Sequence, residues 1–572
     1  MIKSFIVCIS VLLLSFATGC GSTSQVPAPQ PGDPVNLYGR DATGSNGVVA
    51  TAKPEASDVG MSIIRRGGNA VDAAVAAGFA LGVLEPNASG LGGGGFMVIK
   101  LVSMDEPVII DFREMAPSAS RPNMFLGSDG KVIPNSTTIG GLASGTPGDV
   151  AGLLYALENY GSGRFTRQQI MQPAIDFAEK GYVVTGNLAT IILDSLEKIN
   201  RYPATAAIYT DNGLPWEAGS ILKNPDLGNT LRLIAAGGAD AFYKGPLAEK
   251  IAQAVQDAGG IITVGDLANY EVKIRAPITG TYRGYTIITM PPPSSGGVSI
   301  IQILNMLENM DSGSLGFGDP AAAHAWIQAL RLSFADRVRY MGDSDFVHVP
   351  LAALTSKDYA KDHFAKFNPN RAMLSANPGE PSRYESGSTT SFSIMDKVGN
   401  MVTVTKTIND WFGSGVIVPG TGILMNDEMD DFVSMPGHIQ SVEPFKRPLS
   451  SMTPTIVLDP QGRPFMTVGT PGGPRIFQTL DQVISHIIDN GMTIQEAIVS
   501  PRWYTMASGQ VHVENRLPEH TIEGLKALGY DVNIHSGWDP YFGAVQGVLF
   551  DHNAKKLHGG ADPRRDGVAR AF

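Results

Sequence analysis

Two hydroxyl-rich strands joined by a short turn constrain the fold of this 572-residue chain more than any other feature. The first strand reads Thr-Thr-Ser-Phe-Ser-Ile over residues 389–394, and the second reads Met-Val-Thr-Val-Thr-Lys-Thr-Ile over residues 401–408. Successive side chains of a strand point to opposite faces of a sheet. A hairpin symmetric about Val398 therefore places six hydroxyl groups on one face, in the pairs Thr389–Thr407, Ser391–Thr405 and Ser393–Thr403. A one-residue change of register would destroy this arrangement. The plain alternative is a threonine-rich hairpin at a sheet edge, since threonine is a good strand former.

The rest of the chain predicts an α+β protein with a large core. Hydrophobic residues make up 43% of the sequence, which excludes a disordered chain. With 54 acidic against 43 basic residues the formal charge is −11, so the chain is a poor candidate for binding nucleic acid. Helical patterns occur in residues 56–84 with a break at Gly67-Gly68, and in residues 149–160, 168–180, 227–236, 245–258, 298–310, 324–339 and 476–488.

A glycine run at residues 90–95 satisfies the regular expression G-x-G-x-x-G. A dinucleotide-binding fingerprint requires a strand, then the glycines, then a helix. Here a helical pattern precedes the glycines and the apolar strand 96–99 follows them, so we reject a nucleotide site. We expect instead that these glycines let the backbone pass close to a buried group.

The N-terminus reads as an export signal. A lysine at position 3 precedes the apolar residues 5–16, and Ala-Thr-Gly precedes Cys20. This pattern is typical of a secretory signal peptide, and the apolar run is shorter than the about 20 residues that span a bilayer. Small residues directly before a cysteine also resemble a bacterial lipobox. We therefore predict a lipoprotein signal peptide at residues 1–19 and a flexible tether at residues 20–45.

Cys20 is accordingly expected to carry a lipid, in the bacterial envelope or periplasm, with membrane contact only through that anchor. The alternative is an ordinary signal peptide cleaved nearby. Cys8 and Cys20 are the only cysteines, so the body of the protein can form no disulfide or zinc–thiolate site and has no cysteine nucleophile.

Three further segments carry side chains or backbone groups suited to substrate binding or catalysis. Residues 426–432 place four carboxylates in seven positions, which suits a substrate ammonium but could also be a solvated acidic turn. Residues 447–454 contain two adjacent serines, Ser450 and Ser451, between prolines. Gly472-Gly473 precedes the helical pattern 476–488, where backbone amides could stabilise an oxyanion or simply form a tight turn.

Other kinds of catalytic site find no support. The ten histidines show no HExxH or comparable pairing, which argues against a metal site. We find no G-x-S-x-G elbow of a serine hydrolase. Residues 368–388 are rich in Pro, Asn, Gly and Ser and predict a long loop, of a length that is usually functional or disordered.

Six motifs in the same order resemble the γ-glutamyltransferase (γ-glutamyltranspeptidase, glutathione hydrolase) family of N-terminal-nucleophile hydrolases, over residues 46–572. The motifs are Glu85-Pro with Gly92-Gly-Gly-Gly95-Phe, Asp111-Phe-Arg113-Glu-Met-Ala-Pro117, Thr389-Thr-Ser-Phe-Ser-Ile, Asn426-Asp-Glu-Met-Asp-Asp-Phe432, Arg447-Pro-Leu-Ser-Ser-Met-Thr-Pro454 and Pro471-Gly-Gly473. The resemblance implies a four-layer αββα sandwich and a precursor that cuts itself between Ser388 and Thr389. A large subunit, residues 46–388, and a small subunit, residues 389–572, would then form a heterodimer.

The resemblance also implies a role for each matched residue. Thr389 would be the nucleophile and, through its new α-amine, the base, with Thr407 orienting it. Arg113, Ser450 and Ser451 would bind the α-carboxylate of a γ-glutamyl group, and Asn409, Glu428 and Asp431 its α-ammonium. Gly472 and Gly473 would stabilise the oxyanion. For Asp427 and Asp430 the solvated turn stays the preferred interpretation.

The implied reaction cleaves the γ-glutamyl amide of glutathione and related peptides and passes the acyl group to water, an amino acid or a peptide. It requires neither a cofactor nor a metal. One rival is an acylase for glutaryl-type β-lactam side chains, whose substrates lack the α-ammonium. The other is a catalytically silent envelope lipoprotein that binds peptides.

One departure from part of the family concerns the lid that closes over the bound glutamyl group. Residues 432–449 separate the acidic motif from the serine pair and contain neither Tyr nor Trp. Phe445 lies too near the serines to act as a flap. The sequence therefore predicts the lidless branch of the family, with an open pocket.

Overall fold

Two antiparallel seven-stranded sheets form the centre of the protein. The computed structural model describes residues 39–311, 316–376 and 388–572, and of Ser388 only the backbone. Sheet I has the strand order β23-β2-β12-β13-β3-β4-β9, and sheet II has the order β1-β22-β21-β17-β16-β11-β10.

The strands of sheet I are β2 (Gly47–Thr51), β3 (Gly94–Lys100), β4 (Val108–Asp111), β9 (Lys273–Arg275), β12 (Ser388–Asp396), β13 (Met401–Asn409) and β23 (Val568–Ala571). Those of sheet II are β1 (Ala42–Gly44), β10 (Ile278–Tyr282), β11 (Tyr285–Thr289), β16 (Thr455–Leu458), β17 (Pro464–Gly469), β21 (Gln546–Asp551) and β22 (Lys556–Ala561). The small sheets pair β5 (Tyr182–Val183) with β8 (Ile221–Leu222), β6 (Thr210–Asp211) with β7 (Leu214–Pro215), β14 (Ile417–Val418) with β15 (Ile423–Leu424), and β18 (Trp503–Thr505) with β19 (Val511–Glu514) and β20 (Val532–His535).

The helices within the described residues are α1 (Pro54–Arg65), α2 (Ala70–Leu84), α3 (Asp149–Tyr160), α4 (Arg167–Lys180), α5 (Gly186–Asp194), α6 (Leu196–Asn200), α7 (Pro203–Tyr209), α8 (Pro225–Gly237), α9 (Asp240–Tyr243), α10 (Pro246–Asp257), α11 (Val264–Ala268), α12 (Gly296–Leu307), α13 (Pro320–Tyr340), α14 (Leu351–Leu354), α15 (Lys357–Phe364), α16 (Ile476–Ile488), α17 (Ile494–Val499) and α18 (Glu519–Ala527). All the predicted helices are present. Their ends shift by a few residues because capping residues, rather than the apolar period, set them.

The alternation of side chains in sheet I builds two separate cores. Phe392 and Val404 point to one face and pack with α1 to α4 in the first core. The second core lies on sheet II and contains residues of α12, α13 and α16. Hydroxyl groups on the other face of sheet I point toward sheet II, where the Ser393 hydroxyl donates to the Gln546 carbonyl at 3.0 Å. Helices therefore cover the outer faces of two stacked sheets, and the predicted αββα sandwich is confirmed.

Helix α2 shows how local sequence positions this core. The Asn69 side chain accepts hydrogen bonds from the Val71 and Asp72 amides, and the Asn69 amide donates to the Asp72 carboxylate, which forms a capping box. Every residue of α2 is buried, and Gly78 lies against Leu153 and Phe392. An alanine-rich helix can approach its neighbours closely enough to be enclosed between them.

Several predictions fall on the N-terminal part of the chain. Residues 1–38, with the predicted signal peptide and Cys20, lie outside the described residues. Within the stretch predicted as a tether, Ala42–Gly44 already pair with β22, Ala42 opposite Gly559. Residues 377–387 of the predicted loop also lie outside the described part. Among the described residues no helix has the length and apolar character needed to cross a membrane.

Candidate active site

The hairpin adopts the register predicted from its hydroxyl groups. Thr389 lies opposite Thr407, and the next two hydroxyl pairs follow in step. The Thr389 hydroxyl donates toward the Thr407 hydroxyl oxygen at 3.5 Å, and the Asn409 amide donates to the same oxygen at 2.8 Å. The hairpin does not lie at a sheet edge, because β2 and β3 flank it on both sides. Thr389 is thus held at the centre of the fold with only 4% of its surface exposed.

The glycine run permits the close packing that surrounds Thr407. A Cβ atom on Gly93 would lie 2.0 Å from the Thr407 carbonyl oxygen, and one on Gly92 would lie 2.1 Å from the Leu424 carbonyl oxygen. No side chain fits at either distance. The glycines therefore pass close to buried backbone, as the sequence predicted: Gly93 lies against the end of the β12–β13 hairpin and Gly92 against Leu424.

Four residues around Thr389 were not assigned a role from the sequence. Arg565 donates from Nη1 to the Thr389 carbonyl oxygen at 2.5 Å, and its guanidinium lies 4.9 Å from the centre of the Trp411 ring. The neighbouring Thr390 hydroxyl donates to the buried Glu85 carboxylate on the opposite face of the strand. Arg565 is 176 positions from Thr389, and no local pattern in the sequence signals this contact.

Arg113 follows strand β4 and forms a buried charge cluster. Its guanidinium donates to the carboxylates of Glu428 and Asp431, and its Nε donates to the Pro448 carbonyl oxygen at 3.3 Å. Burial alone would lower the pKa of Arg113, but the attraction of these carboxylates and of Glu114, 3.8 Å away, outweighs burial and raises it. Arg113 is therefore charged, fully enclosed and fixed in direction.

The acidic motif forms a 3₁₀ turn, Glu428–Asp431, whose Glu428 amide donates to the Asn426 side-chain oxygen at 3.0 Å. Asn426 Nδ2 donates to the carbonyl oxygens of Gly92 and Gly145 at 2.6 and 2.8 Å. Burial raises the pKa of Glu428 well above its usual value, although Arg113 opposes this. Glu428 Oε2 is buried and accepts no hydrogen bond from another described residue, which leaves it available to a cationic ligand.

The solvated-turn interpretation is wrong for Asp427 and Asp430, since both are buried. Asp427 accepts a hydrogen bond from the Asp410 amide at 2.9 Å and lies 3.8 Å from the Lys198 ammonium. Burial raises the pKa of Asp430 to about 7. Helix α6, which carries Lys198, covers this turn, and a contact between such distant segments has no signal in the local sequence.

The serine pair lies beside the charge cluster. The Met452 amide donates to the Ser450 hydroxyl oxygen at 3.0 Å, and Arg337 donates from Nη2 to the Ser451 hydroxyl oxygen at 3.2 Å. Arg337 was predicted only as part of an amphipathic helix. It is instead a buried residue at the pocket wall.

Gly472 and Gly473 form the turn between β17 and α16. Both have positive φ angles, 134° and 55°, which favour glycine. Neither amide donates a backbone hydrogen bond to another described residue. The amides lie at the N-terminal end of a helix, which is favourable for binding negative charge.

Together these segments line one pocket that is partly open to solvent. Nine of the ten predicted catalytic and binding residues line it, while Gly472 adjoins it through Gly473; the lining residues from this set are Arg113, Thr389, Thr407, Asn409, Glu428, Asp431, Ser450, Ser451 and Gly473. The Thr389 hydroxyl thus lies in the same cavity as two guanidinium groups, two carboxylates and the amide of a helix N-terminus. No group of three or more His, Cys, Asp or Glu side chains suited to a metal occurs in the described parts of the chain.

The segment predicted to lack a lid packs against the body of the protein. Phe432 and Val442 join a small cluster with Ala116 and Phe125, and the Phe445 amide donates to the Ala116 carbonyl oxygen at 2.9 Å. None of the residues 432–448 lines the pocket.

Comparison with known proteins agrees with this arrangement. The family model described as "Gamma-glutamyltranspeptidase" matches residues 56–572. A glutathione hydrolase proenzyme from Pseudomonas sp. (strain A14) is 44% identical over 515 residues, covering 88% of this chain and 87% of the relative. An acylase ACY 1 proenzyme from Pseudomonas sp. (strain SE83) is 40% identical over 553 residues, covering 96% of this chain and 97% of the relative.

A solved structure, the cephalosporin acylase from Bacillus halodurans, superimposes with a TM-score of 0.86 at 28% identity, covering 96% of this chain and 98% of that one. The match extends over both sheets and both helical layers. The chain therefore belongs to the γ-glutamyltranspeptidase family of enzymes.

Proposed function

We propose that this chain is a self-processing γ-glutamyl hydrolase and transferase with Thr389 as its nucleophile. One observation carries the proposal: Arg113, Glu428 and Asp431 form a charge cluster in the same pocket as the Thr389 hydroxyl. A γ-glutamyl group presents one carboxylate and one ammonium at the far end from its scissile amide. The cluster offers a partner of opposite charge to each.

Substrate binding would exchange these ion pairs without leaving a buried charge unpaired. The α-carboxylate would pair with the guanidinium of Arg113 and accept hydrogen bonds from the hydroxyl groups of Ser450 and Ser451. The ammonium would pair with the carboxylates of Glu428 and Asp431. Such exchange matters because an isolated buried charge is costly.

Processing would begin with the uncut chain. The Thr389 hydroxyl adds to the Ser388 carbonyl carbon, the C–N bond breaks, and the proton passes to the new amine of Thr389. Water then hydrolyses the Ser388–Thr389 ester and frees the hydroxyl. The Arg565 contact to the Thr389 carbonyl keeps this residue in place while its peptide bond is exchanged.

Catalysis would reuse the same hydroxyl. An α-amine has a pKa of about 7.7–8.0 in the absence of perturbation, which suits a base at neutral pH. It accepts the proton as Thr389 Oγ1 attacks the γ-carbonyl, and the amides of Gly472 and Gly473 stabilise the oxyanion. The leaving amine takes the proton, and water or an acceptor amine then attacks the acyl ester.

Glutathione is the substrate class that we propose first, because the 44% identical relative is named a glutathione hydrolase proenzyme. The rival is glutaryl-amide hydrolysis, suggested by the relative named an acylase. A glutaryl group lacks the ammonium and would leave Glu428 and Asp431 without a partner. The charge cluster therefore favours the γ-glutamyl group.

The test compares γ-glutamyl-p-nitroanilide with glutaryl-p-nitroanilide on the purified protein. We expect kcat/KM for the γ-glutamyl compound to exceed that for the glutaryl compound by at least tenfold. Preference for the glutaryl compound would make the chain an acylase. No turnover of either, together with a single uncut band in denaturing electrophoresis, would support a silent binding protein.

The cellular location is a separate proposal that rests on residues 1–20. We place the mature protein in the bacterial envelope, anchored by a lipid on Cys20. Mass spectrometry of the N-terminal peptide tests this directly. A diacylglyceryl cysteine at position 20 is expected, and its absence from membrane-associated protein would remove the proposed anchor.

A further inference from the structure

Arg337 is an additional cation in the wall of the pocket. It lies on helix α13, is only 2% exposed, and lines the same cavity as Thr389 and Arg113. Its Nη2 atom donates to the Ser451 hydroxyl oxygen at 3.2 Å, and its Nε atom donates to the Ser295 hydroxyl oxygen at 2.8 Å. Ser451 lies in the loop of residues 447–454, here called the serine loop, and Ser295 contacts the Ser450 carbonyl oxygen of that loop.

The contact with Arg337 determines in which direction the Ser451 hydroxyl group can donate its proton. A guanidinium group has only donors, whereas a hydroxyl group has one donor and two acceptor positions. Ser451 Oγ must therefore accept from Arg337, and its own proton is left for another acceptor. Ser451 lines the pocket, where a bound ligand can supply that acceptor.

The Ser450 hydroxyl group is also an acceptor within the protein, so its proton is likewise left for another acceptor. Its hydroxyl oxygen accepts from the Met452 amide at 3.0 Å, and a backbone amide is likewise only a donor. The two adjacent hydroxyl groups are thus both occupied as acceptors and both available as donors. A pair of parallel donors suits the two oxygens of a carboxylate.

The contact with Ser295 fixes the backbone between these serines. Because Ser295 Oγ accepts from Arg337, its proton can go to the Ser450 carbonyl oxygen, 2.9 Å away. The Ser295 amide donates to the same carbonyl oxygen at 2.7 Å. Arg337 therefore controls the serine loop at the Ser451 hydroxyl and, through Ser295, at the Ser450 carbonyl.

We infer that Arg337 is a positioning residue that makes the Ser451 hydroxyl donate to the substrate α-carboxylate, and so makes the enzyme selective for acyl groups that carry this carboxylate. The inference rests on the proposed γ-glutamyl function. It assigns Arg337 no direct contact with the substrate, since its guanidinium acts through the Ser451 oxygen.

Two p-nitroanilides that differ only in the α-carboxylate test the inference. γ-Glutamyl-p-nitroanilide has the carboxylate, while 4-aminobutyryl-p-nitroanilide keeps the ammonium and lacks it. A hydrogen bond to a charged group contributes roughly 1.5–3 kcal/mol, about a tenfold to hundredfold effect. We expect Arg337→Met to lower kcat/KM by at least tenfold on the first compound, mainly through KM, and by less than threefold on the second.

A double-mutant cycle separates this role from general damage. If Arg337 acts through the Ser451 hydroxyl, adding Arg337→Met to Ser451→Ala changes kcat/KM for the γ-glutamyl compound by less than threefold. Arg339→Met is the matched control, because Arg339 is exposed two positions along the same helix. It should be processed and active like the unaltered enzyme. If Arg337→Met is not processed, Arg337→Lys replaces it in the same cycle. Lysine keeps the charge but lacks the planar guanidinium that contacts both Ser295 and Ser451.

Equal losses on the two compounds, or full additivity in the cycle, would overturn the inference and leave Arg337 as a structural residue or a direct ligand. Failure of the unaltered enzyme on γ-glutamyl-p-nitroanilide would instead overturn the proposed function. The two failures are therefore distinguishable.

Discussion

The hydroxyl oxygens of Thr389 and Thr407 lie 3.5 Å apart across the β12–β13 hairpin, one on each strand. The pair is placed in the uncut chain, because β2 and β3 flank the hairpin and its pairing runs without a shift from Thr389 to Met395. The proposed nucleophile is thus positioned by the fold itself. Arg565 holds the carbonyl of the same threonine, so cleavage need not disturb its position.

Loss of Arg113 should abolish most γ-glutamyl turnover while leaving processing possible. Truncating one partner of a buried charge pair typically costs about 2–5 kcal/mol. Arg113→Ala should therefore lower kcat/KM by at least about thirtyfold, which corresponds to the lower end of that range. Steady-state assays at low γ-glutamyl-p-nitroanilide concentration measure this, with the exposed Arg201→Ala as control. An unchanged kcat/KM would show that Arg113 does not bind the substrate.

The buried ion pair between Lys406 and Asp149 should lock the two subunits together. Lys406 Nζ lies 2.8 Å from the Asp149 carboxylate, and both side chains are fully buried. Breaking a buried pair typically costs about 3–5 kcal/mol, whereas replacing both partners by apolar residues can be neutral. Lys406→Met should lower the thermal midpoint sharply, and Lys406→Met with Asp149→Leu should recover much of it. No recovery in the double variant would mean that the pair is needed for more than charge balance.

His486 should make stability fall in acid. Burial, helped by the nearby Arg502 charge, lowers the pKa of His486 from 6.5 to about 4. The unfolded chain binds this proton below pH 6.5 but the folded protein does not, so stability is present above pH 6.5 and is lost as the pH falls toward 4. At pH 4.5 the loss from this residue is about 2–3 kcal/mol.

Denaturant unfolding of the uncut Thr389→Ala chain at pH 7.5 and 4.5 measures this effect. Adding His486→Gln, which cannot titrate, should reduce the difference between the two pH values by about that amount. An identical pH dependence in both backgrounds would mean that His486 is accessible to protons in the folded state.

The packed segment 432–448 predicts an open pocket mouth. Closing loops are what normally exclude water and large leaving groups. We expect a γ-linked glutamate oligomer and glutathione to be cleaved with similar kcat/KM, and hydrolysis to be prominent beside transfer. A hundredfold loss on the oligomer, roughly 2.7 kcal/mol of transition-state binding, would show that another segment covers the site.

The local features of the site could be predicted because each lies within a few residues of sequence. The alternation of hydroxyl groups specified which residues of the hairpin face each other, and the structure has this register. The capping signal at Asn69 and the stop at Gly67-Gly68 located the ends of α1 and α2.

What the sequence could not reveal depends on contacts between distant segments. Arg337 reaches Ser451 across 114 positions, and nothing near either residue indicates the other. The acidic turn was misjudged at Asp427 and Asp430 for the same reason, because helix α6 covers it. Burial of polar groups is decided by tertiary packing and has no periodic signature.

Electrophoresis of Thr389→Ala beside Thr389→Ser and the unaltered chain tests the central claim most directly. The unaltered chain should yield a small subunit of about 19–20 kDa from the 60.6 kDa total, beginning at Thr389 by N-terminal sequencing. Thr389→Ser keeps a hydroxyl group and should still be cut at the same bond, while Thr389→Ala should give one full-length, inactive band. Two bands from Thr389→Ala, with the cut before residue 389, would contradict the assignment of Thr389 as the nucleophile.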